Sequence, residues 1–258
     1  MKIVIVGSGN VAESLAQAIA ETEGLELVQL FARNEERGRK VAELAHTEWG
    51  GSDIAEADLY LISVSDNAVA EVAQSLQLPE NAVVAHTAGC CTLDTLVPHK
   101  HRAVFYPFQT FTTGRKVDFT KGYIFVEGAT DHAVAVVDEV AHALTSNVLP
   151  ADSARRAEIH LSGVFACNFA NAMYANAAEI LAKEGLPFDI VAPVIEETAK
   201  KVIESKNPAQ SQTGPARRGD TQTLNRHRTM LADEPRTREI YDKISEDICE
   251  RTKTSKSC

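Results

Sequence analysis

Two histidines and an asparagine are the side chains of this sequence best suited to acid–base chemistry. His86 ends a short apolar run, and His160 and Asn168 lie eight residues apart in a long helical pattern, so they share a helix face. Imidazole can give or take a proton near neutral pH, and an amide can hydrogen-bond a substrate oxygen. We predict that His86, His160 and Asn168 are catalytic. The alternatives are a structural His86 bonded to a backbone carbonyl, and a helix–helix or subunit contact for the His160–Asn168 face.

An arginine-rich segment offers a second kind of chemistry. Residues 213–228 contain four arginines but a single acid, Asp220, in a chain whose net charge is −10. The planar guanidinium of arginine suits carboxylate and phosphate groups. We predict that Arg217 or Arg218 binds an anionic substrate while Asp220 orients an arginine, and that Thr87 also contacts the substrate. A solvated loop or a salt-bridged subunit interface is the alternative for the segment.

A glycine pattern near the N-terminus predicts a binding site for a dinucleotide. Gly7, Gly9 and Ala12 match G-x-G-x-x-G/A, between an apolar run and an amphipathic helical pattern. The first glycine allows a tight turn, the second lets a pyrophosphate approach the backbone, and a small third residue lets helix and strand pack closely. The amides at the helix N-terminus then face the pyrophosphate. The predicted cofactor contacts of this loop come from Gly7, Ser8, Gly9, Asn10 and Val11.

The residues after the second predicted strand decide which dinucleotide binds. An acid at this position would hold the ribose hydroxyls of NAD, but this chain has Arg33 and Asn34 there. Because the guanidinium of Arg33 can pair with a 2′-phosphate and stack on adenine, we predict that the cofactor is NADP(H). A solvated surface arginine is the alternative. We expect Ser63, Val64 and Ser65 to border the nicotinamide half, unless they form a simple strand-to-helix cap.

The elements that must position these residues alternate between strands and helices. Apolar runs predict the strands, and a period of 3.6 residues predicts the helices between them. This alternation predicts an α/β fold, with a doubly wound Rossmann sheet covered by helices on both faces. The predicted strands are 2–6, 26–31, 59–64, 82–86, 102–106 and 122–126, and the predicted helices are 11–22, 35–45, 67–76 and 131–144.

The pattern becomes all-helical after Pro150. The helices predicted there are about 152–184, 188–205, 224–232 and 236–251, with a loop at 207–223. We therefore predict two domains. An NADP-binding Rossmann domain covers residues 1–150, and an all-α domain for substrate binding and dimerisation covers residues 151–258.

Composition excludes several classes of function. The 258-residue chain is 44% apolar and 24% charged, which is ordinary for a soluble globular protein. Its acidic net charge repels nucleic acid and anionic membranes, so we expect neither as a partner and predict a small-molecule substrate. Five cysteines without a C-x-x-C pair show no zinc pattern, and we predict no metal site. We expect a cytoplasmic protein, because there is no 18-residue apolar stretch and the N-terminal apolar run is too short for a signal peptide.

Three further stretches sharpen the resemblance of the chain to a known superfamily. They are His86–Gly89, Tyr106–Phe111 and Gly214–Asp220, the last of which reads GPARRGD. The dinucleotide-binding residues and the two-domain architecture resemble the 6-phosphogluconate dehydrogenase-like superfamily, and the three stretches point to a narrower group. Within it, the chain is similar to a bacterial group of NADP oxidoreductases whose C-terminal domain has no assigned function. The resemblance covers nearly the whole chain and implies a Rossmann domain followed by a helical domain.

One departure from the superfamily bears on the chemistry. Its hydroxyacid dehydrogenases use a lysine four residues before an asparagine on the first long helix of the second domain, but here Val164 precedes Asn168. The departure argues against hydroxyacid chemistry. The same helix carries an apolar stripe, and because such helices build dimers in this superfamily, we predict a homodimer. The stripe consists of Phe165, Phe169, Met173, Ala177 and Ile180.

Two functions from different classes fit these features. The first is an NADP(H)-dependent oxidoreductase that transfers hydride to or from a small, anionic carbonyl or imine compound. The second is a non-catalytic NADP(H)-binding redox sensor or scaffold, which the missing lysine favours. A deazaflavin-dependent reductase is a third reading that shares the mechanism of the first. We favour the first, because a scaffold does not need the polar groups at 160–171 and 213–228.

Overall fold

A computed structural model of the chain describes residues 1–254 and contains an eight-stranded sheet. The strands are β1 (Lys2–Val6), β2 (Glu26–Phe31), β3 (Glu48–Gly50), β4 (Leu59–Ile62), β5 (Val83–His86), β6 (Arg102–Phe108), β7 (Tyr123–Gly128) and β8 (Val148–Pro150). They lie in the order β3-β2-β1-β4-β5-β6-β7-β8. The chain moves from β1 to β2 on one side and to β4 on the other, which creates the switch point where Rossmann folds bind dinucleotides.

Helices cover both faces of this sheet. The helices that pack on it are α1 (Asn10–Ala20), α2 (Glu35–Leu44), α3 (Val69–Ser75) and α4 (Asp131–Leu144). Ile3 and Ile5 of β1 pack in one apolar layer with residues of α1, α2 and α4, whereas Val4 and Val6 pack in a second layer with residues of α3. Successive side chains of a strand point to opposite faces, so a run of apolar residues is buried on both sides. The predicted doubly wound fold is confirmed.

The six predicted strands are all present, but two short strands were missed. β3 and β8 have three residues each, too few for a periodic signal, and β8 ends in a proline. The sheet also departs from the expected parallel arrangement at β7, which runs antiparallel to β6. The segment between these strands, 109–122, contains only a short 3-10 turn. A parallel connection needs a longer crossover, usually a helix.

The chain divides into two compact units, unit 1 (Met1–Asn168) and unit 2 (Phe169 onward). We predicted a division near residue 150, and the main difference is the helix α5 (Ser153–Gly163), which belongs to unit 1. This helix is joined to the sheet because its fully buried Arg156 pairs with Glu127 of β7.

Unit 2 is all-helical within the described residues, as predicted. Its helices are α6 (Ala170–Lys183), α7 (Ala192–Ser205), α8 (Pro208–Ser211), α9 (Pro215–Arg218), α10 (Thr221–Met230) and α11 (Pro235–Thr254). A π-helical turn, Val164–Phe169, precedes α6 and interrupts the long helix predicted over 152–184. The short helices α8 and α9 lie in the predicted loop, and each begins with a proline, whose missing N–H is harmless in a first turn. None of the helices described, in either unit, is long and apolar enough to cross a membrane.

Candidate active site

The glycine-rich loop after β1 has the shape that a dinucleotide needs. Gly7 adopts a φ of +127°, and a Cβ there would lie 2.2 Å from the carbonyl oxygen of Ser63, so no other residue fits. A Cβ on Gly9 would meet no atom within 4 Å, and no side chain caps α1 at this position. The amides of the first turn of α1 therefore have no side-chain cap, and a pyrophosphate is the kind of group that accepts hydrogen bonds at such a helix start. The side chain of Val11 packs partly against the core, and its contact with the cofactor stays a prediction.

A loop from a distant part of the chain lies against this first turn of α1. The side-chain amide of Asn10 donates to the carbonyl of Phe111 at 3.3 Å, and the Thr113 hydroxyl donates to Asn10 Oδ1 at 2.7 Å. The backbone N–H of Gly114 donates to Glu13 Oε1 at 2.7 Å. These contacts fix the side chain of Asn10, so the predicted contact of Asn10 with the cofactor is left to its backbone. The sequence shows no signal for contacts across more than a hundred residues.

Arg37 is a charged residue of this loop region that the sequence analysis missed. Its Nε donates to the carbonyl of Ser8 at 3.0 Å, and its Nη2 lies 2.5 Å from Glu13 Oε2. The carboxylate of Glu13 is buried, so the ion pair joins α2 to the glycine-rich loop with little exposure to water. Ser8 is thereby held at the place where it was predicted to contact the cofactor.

Arg33 and Asn34, the two residues predicted to select the cofactor, make different contacts in the structure. Arg33 is exposed after β2, and its Nη1 lies 3.6 Å from Glu71 Oε1 on α3. Asn34 caps α2, because its Oδ1 accepts from the backbone N–H of Arg37 at 3.0 Å. The contact of Arg33 and Asn34 with the cofactor stays a prediction.

The residues after β4 lie beside the glycine-rich loop. Ser63 is buried, its N–H donates to the carbonyl of Val6 at 2.8 Å, and Val64 lies next to Gly7. Ser65 is exposed and precedes a 3-10 turn without a side-chain cap. This position agrees with the predicted border of the cofactor, although no contact of these residues with a cofactor is tested.

Thr87 does not have the exposed hydroxyl that its predicted contact with substrate requires. The side chain is 8% exposed, and its Oγ1 donates to Ser63 Oγ at 3.1 Å. A buried hydroxyl that already bonds a neighbour is unavailable to a substrate. The structure therefore corrects this assignment, and the hydroxyl of Thr87 joins the ends of β4 and β5.

His86 has a structural role, and its predicted role as a proton donor is corrected. The ring is fully buried, Nδ1 accepts from the backbone N–H of Ala88 at 3.2 Å, and Nε2 donates to the carbonyl of Thr92 at the same distance. Burial, followed by the nearby charge of Arg156, lowers the pKa of His86 to about 4. The imidazole therefore stays neutral at pH 7 and holds the loop after β5, as in the alternative considered for it.

His160, the second histidine predicted to be catalytic, lies beside the loop that follows β5. Its Nδ1 lies 2.9 Å from the hydroxyl of Tyr106 on β6. Its ring packs so closely on Gly89 that a Cβ there would lie 2.4 Å from Nδ1. Burial raises the pKa of Tyr106 to about 12. Tyr106 was part of a stretch that we noted for its resemblance, but sequence alone does not reveal a partner 54 residues away.

Asn168 lies in the π-helical turn, where it is exposed. No hydrogen bond joins the described side chains of Asn168 and His160. A π turn advances by more residues per turn than an α turn, so it alters the register that the eight-residue spacing assumed. The catalytic role of Asn168 stays a prediction.

In unit 2, the arginine-rich segment binds its own backbone. The guanidinium of Arg217 donates to the carbonyls of Gln210, at 3.0 Å, and of Gln212. Asp220 caps α10 by accepting from the N–H of Thr223 at 3.0 Å, and this bond holds the pKa of Asp220 below its usual value. The charge of Arg218 also lowers the pKa of Asp220, and the predicted roles of Arg217 in binding an anion and of Asp220 in orienting an arginine stay predictions. Arg218 remains exposed.

No group of histidine, cysteine or acidic side chains suited to a metal ion occurs within residues 1–254. The residues present instead fit a dinucleotide, through the uncapped amides of α1 and the space in front of Gly9.

Comparison with known proteins agrees with this arrangement. Residues 2–89 match a family model described as NADP oxidoreductase coenzyme F420-dependent, and residues 122–248 match one described as a domain of unknown function, DUF2520. No curated protein matches the chain. The crystal structure of a putative NADP oxidoreductase from Bacteroides fragilis is 40% identical, with a TM-score of 0.91 over 96% of this chain and 98% of that one.

Two more distant structures share the fold. A protein from Thermotoga maritima is 20% identical, with a TM-score of 0.83 over 97% of this chain and 99% of that one. A reductive aminase from Aspergillus terreus in complex with NADPH and ethyl-5-oxohexanoate is 13% identical, with a TM-score of 0.70 over 98% and 94%. From the 40% identity over nearly both full lengths, this chain belongs to the family of the putative NADP oxidoreductase from Bacteroides fragilis, and in this chain the match to the NADP oxidoreductase model precedes the match to DUF2520.

Proposed function

We propose that the protein is an NADP(H)-dependent oxidoreductase that acts on a small carbonyl or imine compound, with His160 as the proton donor of the reduction. The observation that carries the proposal is the 2.9 Å hydrogen bond between His160 Nδ1 and the Tyr106 hydroxyl, beside Gly89 after β5. Ligands of open α/β sheets bind beyond the carboxyl ends of the strands. The imidazole therefore lies at the edge of the sheet where the nicotinamide is expected.

Tyr106 can hold His160 in both of its protonation states. Because its pKa is about 12, the phenol keeps its proton at pH 7, and a hydroxyl can both donate and accept. It donates to Nδ1 of a neutral imidazole, whose Nε2–H then polarises the substrate. It accepts from Nδ1–H of an imidazolium, whose Nε2 gives its proton to the oxygen or nitrogen of the reduced group. The bound dinucleotide would supply the hydride.

Arg33 supports NADP(H) as the cofactor rather than NAD(H). Its side chain is 78% exposed, and its partner Glu71 is 75% exposed at 3.6 Å. Such a surface pair contributes about 0–1 kcal/mol, less than the roughly 1.5–3 kcal/mol of a hydrogen bond to a charged group. A 2′-phosphate can therefore displace Glu71. The putative NADP oxidoreductase from Bacteroides fragilis and the NADPH complex of the Aspergillus terreus reductive aminase agree with this choice.

The catalytic reading is better supported than a redox sensor or scaffold. A protein that only binds the cofactor does not need a hydrogen-bonded histidine–tyrosine pair beside it. The family description that names coenzyme F420 makes a deazaflavin the second candidate for the hydride partner. For an anionic substrate, Arg217 and Arg218 are both exposed and stay candidate ligands, and Asn168 remains a candidate for orienting the reacting group.

We also propose that the protein is a homodimer formed through unit 2. Large apolar side chains are exposed along its helices and the turns between them, and a second copy would cover them. They include Ile180, Phe188, Ile190, Val194, Ile203 and Met230. Light scattering at micromolar concentration should give the mass of a dimer, and a monomer would contradict the proposal.

The oxidoreductase proposal is tested by a screen for hydride transfer. The wild-type protein is mixed with NADPH and a panel of keto acids, ketones, cyclic imines and a deazaflavin, and the loss of NADPH absorbance is followed. With the first substrate found, the H160Q variant should lose at least about a hundredfold in kcat, as is typical for loss of a general acid. The matched control is H142Q, since His142 is exposed on α4. Equal activity of H160Q and wild type would refute the role of His160.

A further inference from the structure

We propose that Arg156 is a positioning residue for His160, and that it also fixes the backbone on which His160 rests. This inference rests on the proposed role of His160. Arg156 lies four residues before His160 on α5, so both side chains project from the same side of the helix. Both reach the loop after β5, where Arg156 bonds the carbonyl of Cys91 and His160 packs on Gly89.

The guanidinium of Arg156 is held on its Nη side by three groups. Nη1 lies 2.5 Å from Glu127 Oε2, and Nη2 donates to the carbonyl of Cys91 and to Ser153 Oγ, the latter at 3.3 Å. The side chain of Arg156 is completely buried, and that of Glu127 is 18% exposed. A buried charge that loses its partner is strongly unfavourable, so Arg156 is held in its contact with Glu127.

The first turn of α5 is bound to the same loop by a second route. Ser153 Oγ accepts from the backbone N–H of Leu93 at 3.1 Å and donates to the carboxylate of Glu127 at 3.1 Å. The end of β7, the start of α5 and residues 91–93 thus meet at one polar cluster, made of Glu127, Ser153, Arg156 and this backbone. The cluster sets the position and rotation of α5 relative to the loop.

The polar cluster should control the distance between the His160 imidazole and the substrate. The contact of His160 with Gly89 lies two residues from the carbonyl that Arg156 holds, so a shift of that loop moves the surface under the imidazole. Apolar packing of α5 through Ile159 could hold the helix on the sheet without fixing this loop. A misplacement of about 1 Å at a reacting group can lower a rate by about a hundredfold.

The other titratable groups around Arg156 are uncharged at pH 7 and do not form ion pairs with it. His86 is neutral because burial and the guanidinium lower its pKa to about 4, and Tyr106 keeps its proton. Burial raises the pKa of the Cys91 thiol, so it too stays neutral at pH 7. Glu127 is therefore the one ionised partner that the described contacts of Arg156 include.

The test compares R156K with R155K in the full-length protein. Lysine at position 156 keeps the charge and can still pair with Glu127, but it cannot also reach the carbonyl of Cys91 and Ser153 in the same geometry. We expect kcat to fall about 10- to 100-fold in R156K. The KM for NADPH and its dissociation constant should both change less than about twofold, because the substitution does not alter the glycine-rich loop. Arg155 is exposed on the same turn of α5, so R155K should behave as wild type.

A spectroscopic measurement separates positioning from general damage. In the wild type, ¹⁵N NMR of histidine-labelled protein should show Nδ1 of His160 hydrogen-bonded to Tyr106, and this signature should change in R156K but not in R155K. E127Q, which removes the charge of the partner, should reproduce the change if R156K does not fold. Wild-type kcat and an unchanged His160 signal in R156K or E127Q would overturn the inference. A parallel loss of NADPH binding would also overturn it, since positioning of His160 does not affect the cofactor.

The H160Q variant distinguishes this failure from failure of the proposed function. If H160Q is inactive while R156K is fully active, Arg156 does not position His160, but His160 keeps its role. If H160Q is fully active, the proposed function of His160 fails first.

Discussion

The two units of this protein differ in how far their large apolar side chains are buried. In unit 1, Ile3, Ile5 and Leu15 are completely buried between the sheet and its helices. In unit 2, α6 and α7 contain no buried residue, and Ile203 is 73% exposed. A helix with an apolar side needs something to cover it. The comparison indicates that unit 1 completes its own core, whereas unit 2 relies on a further surface, which we propose to be that of a second copy.

Truncating a buried apolar side chain of unit 1 should cost far more stability than truncating an exposed one of unit 2. I5A removes a completely buried side chain from β1 and should lower the free energy of unfolding by about 2–5 kcal/mol. I203A removes an exposed side chain and should change it by less than about 0.5 kcal/mol. Urea unfolding of both variants measures the difference. Similar losses of stability from I5A and I203A would contradict this difference between the units, because they would show that Ile203 is buried in a core of unit 2.

A pH effect should follow from the buried His86 of unit 1. Its pKa is about 4 in the folded chain and near 6.5 when unfolded, so the unfolded chain binds the extra proton between these values. Stability is therefore complete above about pH 6.5 and falls by about 3 kcal/mol as the pH drops to 4. H86Q should flatten this part of the curve of stability against pH. An unchanged slope in H86Q would show that other groups cause the loss.

The exposed face of unit 2 should control association. V194E places a charge on an apolar position of α7 that is 64% exposed. We expect it to weaken dimer formation at least about tenfold, because the charge would have to be desolvated at the interface. Light scattering across a dilution series measures this shift, with Q74E on α3 as the charge-matched control, since Gln74 is exposed in unit 1 and the change also adds one negative charge. A mass for V194E that equals the wild-type mass at every concentration would place the interface elsewhere.

The smallest expected effect concerns a helix cap of unit 2. D220A removes the acceptor for the N–H of Thr223 and should cost about 1 kcal/mol of stability, whereas D220N keeps a capping oxygen and should cost less. Thermal unfolding of the two variants checks the order. A loss of activity in D220A without a loss of stability would instead favour a direct role for Asp220 in substrate binding.

The sequence predicted most elements of unit 1 because they are apolar runs or amphipathic helical patterns long enough to recognise. β1 and β2 have the predicted bounds, 2–6 and 26–31, and β1 ends directly at Gly7. β3 was missed because three residues carry no period. The strand at β7 was predicted but its antiparallel direction was not, because strand direction depends on the connection before it, which an apolar run does not encode.

The site was less predictable because its contacts join distant segments. His160 was predicted from its residue type and place on a helix, but Tyr106, Arg156 and the loop beside Asn10 became visible only in the fold. His86 has the same residue type as His160, and only its burial shows that it holds a loop. Residue type thus narrowed the candidates, and solvent exposure and hydrogen-bond partners separated them.

A direct titration tests whether unit 1 binds NADP(H). NADPH and NADH are added in parallel to the full-length protein and to R33S, and thermal unfolding is followed. At 100 times its dissociation constant, a ligand that binds only the folded chain stabilises it by about 2.7 kcal/mol. We predict this stabilisation by NADPH, with NADH about 10- to 100-fold weaker, and a loss of that preference in R33S. Failure of both dinucleotides to stabilise the wild-type protein would contradict the account.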